Sequence, residues 1–232
     1  MNFIKIIKVY KRNVARNQLY TILNFIFSAI ISLLTIKLIT SRIDPDSYGI
    51  YRYVFATLSL CTLSTITGIN KTIGGYVAKG FHGTVKLATK LSFKTGSLGI
   101  IVLLLFGIHS YFIKQSLLES TLFFVSAAVF LPYSIFQRYQ LILTGLERFK
   151  DILFFSLITK TTTFISAIII IIFLDQGILA YGLSQLIIPT IFFIFIYFNT
   201  INKLTNSKID DGFRKHSMII SLVGVGSKIT TS

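Results

Sequence analysis

The chain is built from uninterrupted apolar runs, each long enough to cross the hydrocarbon core of a bilayer. A helix rises about 1.5 Å per residue, so about 20 apolar residues cover the roughly 30 Å of that core. Six such runs are read along the sequence, at about 19–40, 48–69, 88–108, 121–143, 152–174 and 177–197. The third is the weakest, because Lys90 and Lys94 stand in its first turns. A seventh begins near Met218 and continues to Ser232. The runs are continuous rather than alternating in and out, which excludes the short strands of a membrane barrel and leaves helices. Charge agrees, since only 13% of the residues are Asp, Glu, Lys or Arg, about half the ~25% of a soluble domain. Too little polar surface is available to clothe a soluble core.

The expected fold class is therefore an all-α integral membrane protein. A basic segment over 1–18 precedes a six-helix transmembrane lobe over 19–200. A loop over 201–217 then leads to the start of a seventh spanning segment over 218–232.

Orientation comes from the bases. Lys5, Lys8, Lys11, Arg12 and Arg16 precede the first run, and Lys71, Lys79 and Lys86 follow the second. Arg148 and Lys150 follow the fourth, and Lys203, Lys208, Arg214 and Lys215 follow the sixth. The alternate connections hold only Arg42 and Lys114. Cytoplasmic loops collect Lys and Arg, so the N-terminus is expected on the cytoplasmic side. The formal net charge of +15 is then explained by topology and by attraction to anionic membrane lipids. No basic patch with interleaved aromatics is left for nucleic acid.

Other chemistries find little support. The first run is of full spanning length with no small-residue cleavage site after it, so it reads as an uncleaved helix. Cys61 is alone and lies inside a run, so it forms no internal disulfide. His82, His109 and His216 are far apart. No P-loop, dinucleotide fingerprint or HExxH motif occurs. No cofactor and no enzymatic activity are expected.

What remains is the polar chemistry inside the runs. An ionisable group at mid-membrane costs about 2.5–3.5 kcal/mol on insertion scales and needs a reason. Lys37 and Arg52 lie about one turn from the outer ends of the first two helices, where they either snorkel outward or face a cavity. Lys90, Lys94 and Arg138 lie near inner ends and are expected to snorkel. Lys160 falls near the middle of the fifth helix, flanked by Thr159, Thr161, Thr162 and Thr163. It reads as facing a wet cavity, as packing against a polar helix partner, or as marking a displaced helix boundary. All eight carboxylates lie in loops or at helix ends, so the interior charge is cationic. Lys and Arg bind phosphate oxygens well, which suits an anionic substrate. Pro132 and Pro189 fall inside helices, where they kink. Asn24, Asn70 and Gln185 are candidates for interhelical hydrogen bonds, and Gly74-Gly75 and Gly80 suggest a flexible turn.

Three short motifs carry a resemblance. Ser41-Arg42-Ile43-Asp44-Pro45-Asp46-Ser47-Tyr48-Gly49-Ile50-Tyr51 resembles the Arg-Leu-Gly-Pro-x-x-Tyr-Gly-x-Tyr turn of polysaccharide flippases. Those are the Wzx-type O-antigen and capsule translocases of the MOP exporter superfamily. Gly68-Ile69-Asn70 with Tyr76-Val77-Ala78, and Gly145-Leu146-Glu147-Arg148-Phe149-Lys150, are similar to later motifs of that family. The motifs cover about residues 18–150, and the helix rhythm carries the likeness to about residue 200. The first motif also has a plain structural reading as a hairpin turn with interfacial tyrosines.

The resemblance implies transport of an undecaprenyl-pyrophosphate-linked oligosaccharide across the bacterial inner membrane. Lys160 and Arg52, with Lys37 as a third, would then face the diphosphate as substrate-binding residues. Asp44 stands where the family usually has Gly. The family also has two six-helix lobes, whereas this chain has one, so either a second lobe is missing or two copies pair as a parallel homodimer. The abrupt ending within an apolar run favours a truncated form. Rival readings are a related drug or lipid exporter, a membrane enzyme of glycan assembly using His109, and an inactive half-protein. The missing interior carboxylates argue against the drug exporter.

Overall fold

The computed structural model describes residues 3–65, 67–173, 177–204, 208–210 and 212–220. Among the described residues the fold is built from α1 Phe3–Thr40, α2 Pro45–Cys61, α3 Thr67–Ala78, α4 Thr84–Phe112, α5 Leu117–Phe136, α6 Tyr139–Gly145, α7 Phe149–Ile168 and α8 Ile178–Ile201, with a further helical stretch over 213–220. Among the described residues there are no strands. Among the described residues, five helical stretches are long and apolar enough to cross a membrane, or six if one bent pair counts as a single span. The apolar runs thus reappear as helices, with the second run as the exception.

That second run is broken. α2 passes into a tight 3₁₀ turn over Thr62–Thr65, and α3 leaves at 57° to it. The cause is a run of hydroxyls. Thr62 donates to the Ser59 carbonyl at 2.6 Å, Ser64 to Cys61 at 2.8 Å and Thr65 to Thr62 at 2.8 Å. Such back-bonding competes with the helical ladder. The expected flexible turn at Gly74-Gly75 is corrected: both lie inside α3. Gly74 is needed there because a Cβ would sit 3.1 Å from the Leu141 carbonyl of α6. The left-handed turn falls at Gly80, with φ +85°.

The basic segment is likewise not separate. With no Gly or Pro before Thr40, the helix runs on from Phe3 for 38 residues. Asp44 caps α2 by accepting from the Ser47 backbone N–H at 2.8 Å, with Pro45 in the first turn. α5 opens with a Ser116 cap that accepts from the Glu119 N–H at 3.3 Å. Beyond α8, residues 213–220 are helical. Most of the expected seventh segment, 221–232, lies outside the described residues.

The packing centres on α5, which touches α2, α4 and α8. α4 lays a stripe of small residues on it: Ser92, Gly96, Gly99, Gly107 and Ser110 are all buried. A Cβ on Gly99 would stand 2.5 Å from the Phe130 ring. Close approach through small residues is how helices associate where lipid removes the hydrophobic drive. One core cluster joins Ile69, Val77, Ile135, Tyr139 and Tyr197, and a second joins Val54, Leu103, Phe123, Phe130 and Leu186.

α1 is peripheral and leans chiefly on α7. Only 6% of its most apolar window is buried, against 50% in the α5–α6 span. Phe25, Leu33, Phe112, Ile191 and Phe195 are exposed. Such a large apolar exterior is a liability in water and the expected outer face in a bilayer.

Candidate functional site

The seam between α1 and α7 gathers polar groups at membrane depth. The side chains of α1 that turn inward are partly buried at Asn17, Tyr20, Asn24, Phe27, Ser28, Ile31 and Thr35. Their spacing of three and four residues is one helical face. Four of the seven are polar, an unusual share for a spanning helix. Opposite them, Lys160 is half-buried on α7, and its Nζ donates to the Ser28 Oγ. Ser28 in turn donates to the Asn24 carbonyl at 2.5 Å. Lysine carries three donors and one is used here. Thr163 of α7 accepts at its carbonyl from Gln185 of α8 at 3.4 Å, so the polar belt continues across three helices.

Toward the end where α1 begins, the seam opens. A cavity of about 570 Å³ lies between α1 and the α6–α7 turn, lined by Asn17, Gln18, Thr21, Thr144, Glu147 and Phe149 among others. A smaller one of about 110 Å³ shares Thr21, Thr144 and Phe149 with it and reaches Asn24.

The three predicted site residues are not brought into contact with one another by any described bond. Lys160 sits in the α1–α7 seam. Lys37, in the last turn of α1, and Arg52, on α2, are exposed. Exposure at the bundle's outside is compatible with snorkelling, and equally with a neighbour outside this chain.

Arg138 departs from expectation. Rather than snorkelling, it is buried, at 4% exposure, in the break between α5 and α6. Its Nε donates to Asn70 Oδ1 at 2.6 Å, one terminal nitrogen to Ser92 Oγ at 2.5 Å, and the other to the Thr65 carbonyl at 3.0 Å and hydroxyl at 3.2 Å. The reason lies at the α2–α3 break, where the Thr65 carbonyl, which also accepts from the Ser92 hydroxyl at 3.0 Å, lies in the interior with room for a second donor. A guanidinium with five donors in a fixed fork fills that need. No carboxylate takes part. Asn70 is thus confirmed as an interhelical partner.

At the opposite end, Glu119 is buried and accepts from Ser110 and from Lys114, each at 2.9 Å. The Lys114 ammonium lies 5.1 Å from the Tyr53 ring centre. The bond to Glu119 lifts the Lys114 pKa above its ordinary value. His109 is exposed in the last turn of α4.

Two signals in the sequence mark these features. Asn17, Thr21, Asn24 and Ser28 recur at spacings of four, three and four, which marks a polar face on the first helix. The hydroxyl run Thr62–Thr67 marks the break that Arg138 serves. No protein-family model, curated protein or solved structure matches the chain.

Proposed function

We propose that this chain is a transmembrane lobe of a transporter, not an enzyme, that passes a lipid-linked oligosaccharide diphosphate across the bacterial inner membrane. The observation that carries this reading is Lys160, a cation at mid-span whose described partner is a neutral serine of α1. The described carboxylates Asp44, Asp46, Glu119, Glu147, Asp151 and Asp210 all stand in connections or first helical turns. A cation kept without a counter-charge in a low-dielectric seam has attraction to spare for a diphosphate. The motif around Pro45 and Gly49, which resembles that of the Wzx-type flippases, supplies the substrate class. On this reading the end bearing Lys71, Lys86, Lys150 and Lys203, all exposed, faces the cytoplasm. A second lobe, or a second copy of the chain, completes the pathway opposite α1 and α2, where Lys37 and Arg52 are exposed.

The test is replacement of Lys160. Lys160→Ala is expected to leave lipid-linked repeat units accumulating on the cytoplasmic side, with Lys160→Arg restoring most translocation. Normal translocation by Lys160→Ala, at wild-type protein level, would sink the assignment.

A further inference from the structure

The cavity at the mouth of the α1–α7 seam has a chemistry of its own. Its walls carry acceptors in excess. The Thr21 hydroxyl hydrogen is spent on the Asn17 carbonyl at 3.0 Å, and that of Thr144 on the Gln140 carbonyl at 2.8 Å. Each oxygen keeps lone pairs for a ligand. Glu147 adds a carboxylate, held by a backbone with φ +56°, a left-handed geometry that glutamate seldom adopts. At the inner limit the Asn24 Oδ1 is buried and has no described hydrogen-bond partner. A buried acceptor left unpaired is costly, and a ligand donor would recover that cost. Asn17 and Gln18 contribute amide donors at the rim.

Charge narrows the ligand further. No Lys or Arg is among the residues lining either chamber. With a carboxylate present, the cavity repels the diphosphate that Lys160 would attract. Phe149 provides an apolar wall common to both chambers. A ligand that donates several hydrogen bonds, carries no negative charge and has an apolar face is a sugar ring. The larger chamber, about 570 Å³, falls within the range of small-molecule sites.

We infer that this crevice is a glycan-binding subsite, which holds sugar hydroxyls at the basic mouth of the seam. The inference rests on the transport reading above, and divides the substrate in two: sugar to the crevice, diphosphate to the cations outside it.

The chain contains no tryptophan, so Ile22→Trp, in the cavity wall, gives a single local fluorophore. The full chain is placed in nanodiscs of phosphatidylethanolamine and phosphatidylglycerol. It is then titrated with undecaprenyl diphosphate, with undecaprenyl-diphosphate-linked N-acetylglucosamine, and with free N-acetylglucosamine. The sugar-bearing lipid is expected to shift the fluorescence at about tenfold lower concentration than the bare lipid, the worth of one or two net hydrogen bonds. Thr21→Val and Asn24→Leu, which keep the side-chain volume, should each erase most of that preference. Equal response to the two lipids, or a preference untouched by both substitutions, overturns the subsite. A free sugar as effective as the lipid-linked one would leave a sugar site but overturn its place in lipid-linked transport. The two readings fail separately. Loss of sugar preference with translocation still dependent on Lys160 removes the crevice alone. A wild-type protein that prefers the sugar but translocates nothing removes the transport reading.

Discussion

Arg138 shows what a single residue does in a membrane interior without a counter-ion. Its guanidinium reaches Thr65, Asn70 and Ser92, on three different segments, through four hydrogen bonds. Each of those partners is a neutral acceptor, and two sit at or beside the helical break. Arg138→Met keeps the bulk and removes every donor. It removes all four bonds and leaves the Thr65 carbonyl with the Ser92 hydroxyl alone, and a buried polar group that loses its partner costs about 1–3 kcal/mol. We expect Arg138→Met to lose several kcal/mol, read as a lower unfolding midpoint in detergent and a smaller monodisperse fraction. Arg138→Lys should recover only part, since an ammonium cannot reproduce the planar fork. A midpoint unchanged in Arg138→Met would show that the cluster adds nothing. Lys160 differs in kind: it is half-buried, with one donor of three engaged.

At the scale of elements, the helices are ordered by how closely their backbones can approach. α4 meets α5 chiefly through small residues, with Leu103 the large exception, and Phe130 fills the notch at Gly99. Gly99→Leu forces a branched side chain into that ring, and overpacking costs about 1–3 kcal/mol. The control is Gly49→Ala in the α1–α2 motif, where a Cβ would meet nothing within 4 Å. Thermal unfolding in detergent should show a clear loss for Gly99→Leu and almost none for Gly49→Ala. Equal loss at both would mean that the α4–α5 seam is not the tight one. Gly145, in the α6–α7 turn motif Gly145–Lys150, has a packing reason: a Cβ there would run into the Gly74 carbonyl of α3. Gly49, in the first motif, has none within this chain.

At the scale of the whole molecule, the basic connections fall at one end of an up-and-down bundle. Gly83 donates to the Lys208 carbonyl at 2.9 Å, and the Tyr76 hydroxyl pairs with His216 at 3.1 Å. The start of α4, the end of α3 and the segment after α8 therefore meet. Cysteine labelling tests which side of the membrane that end faces. In a Cys61→Ala background, Lys150→Cys and Lys203→Cys should resist an impermeant maleimide in intact cells and react after permeabilisation. Ser41→Cys, in the α1–α2 turn, should react in intact cells. The reverse pattern would invert the orientation argued from the lysines.

How much of this was legible follows from what each feature depends on. Whether a helix spans a bilayer depends on its own length and apolarity, so the membrane class and nearly all the spans could be read from the chain alone. The hairpin turn at Pro45 is local and equally legible, and the structure adds the Asp44 cap that opens α2 there. The rest depends on what lies opposite. Lys160 is unusual by its place in a helix, but only the neighbouring helix decides that Ser28 receives its proton donor. Arg138 looked like a snorkelling base because its distance from the helix end suggested it. The buried carbonyl it serves belongs to residue 65, far off in sequence. The crevice, too, exists only where α1 parts from the α6–α7 turn. Hydropathy is a property of one segment, whereas burial, satisfied donors and cavities belong to pairs, and pairing is what the tertiary structure alone decides.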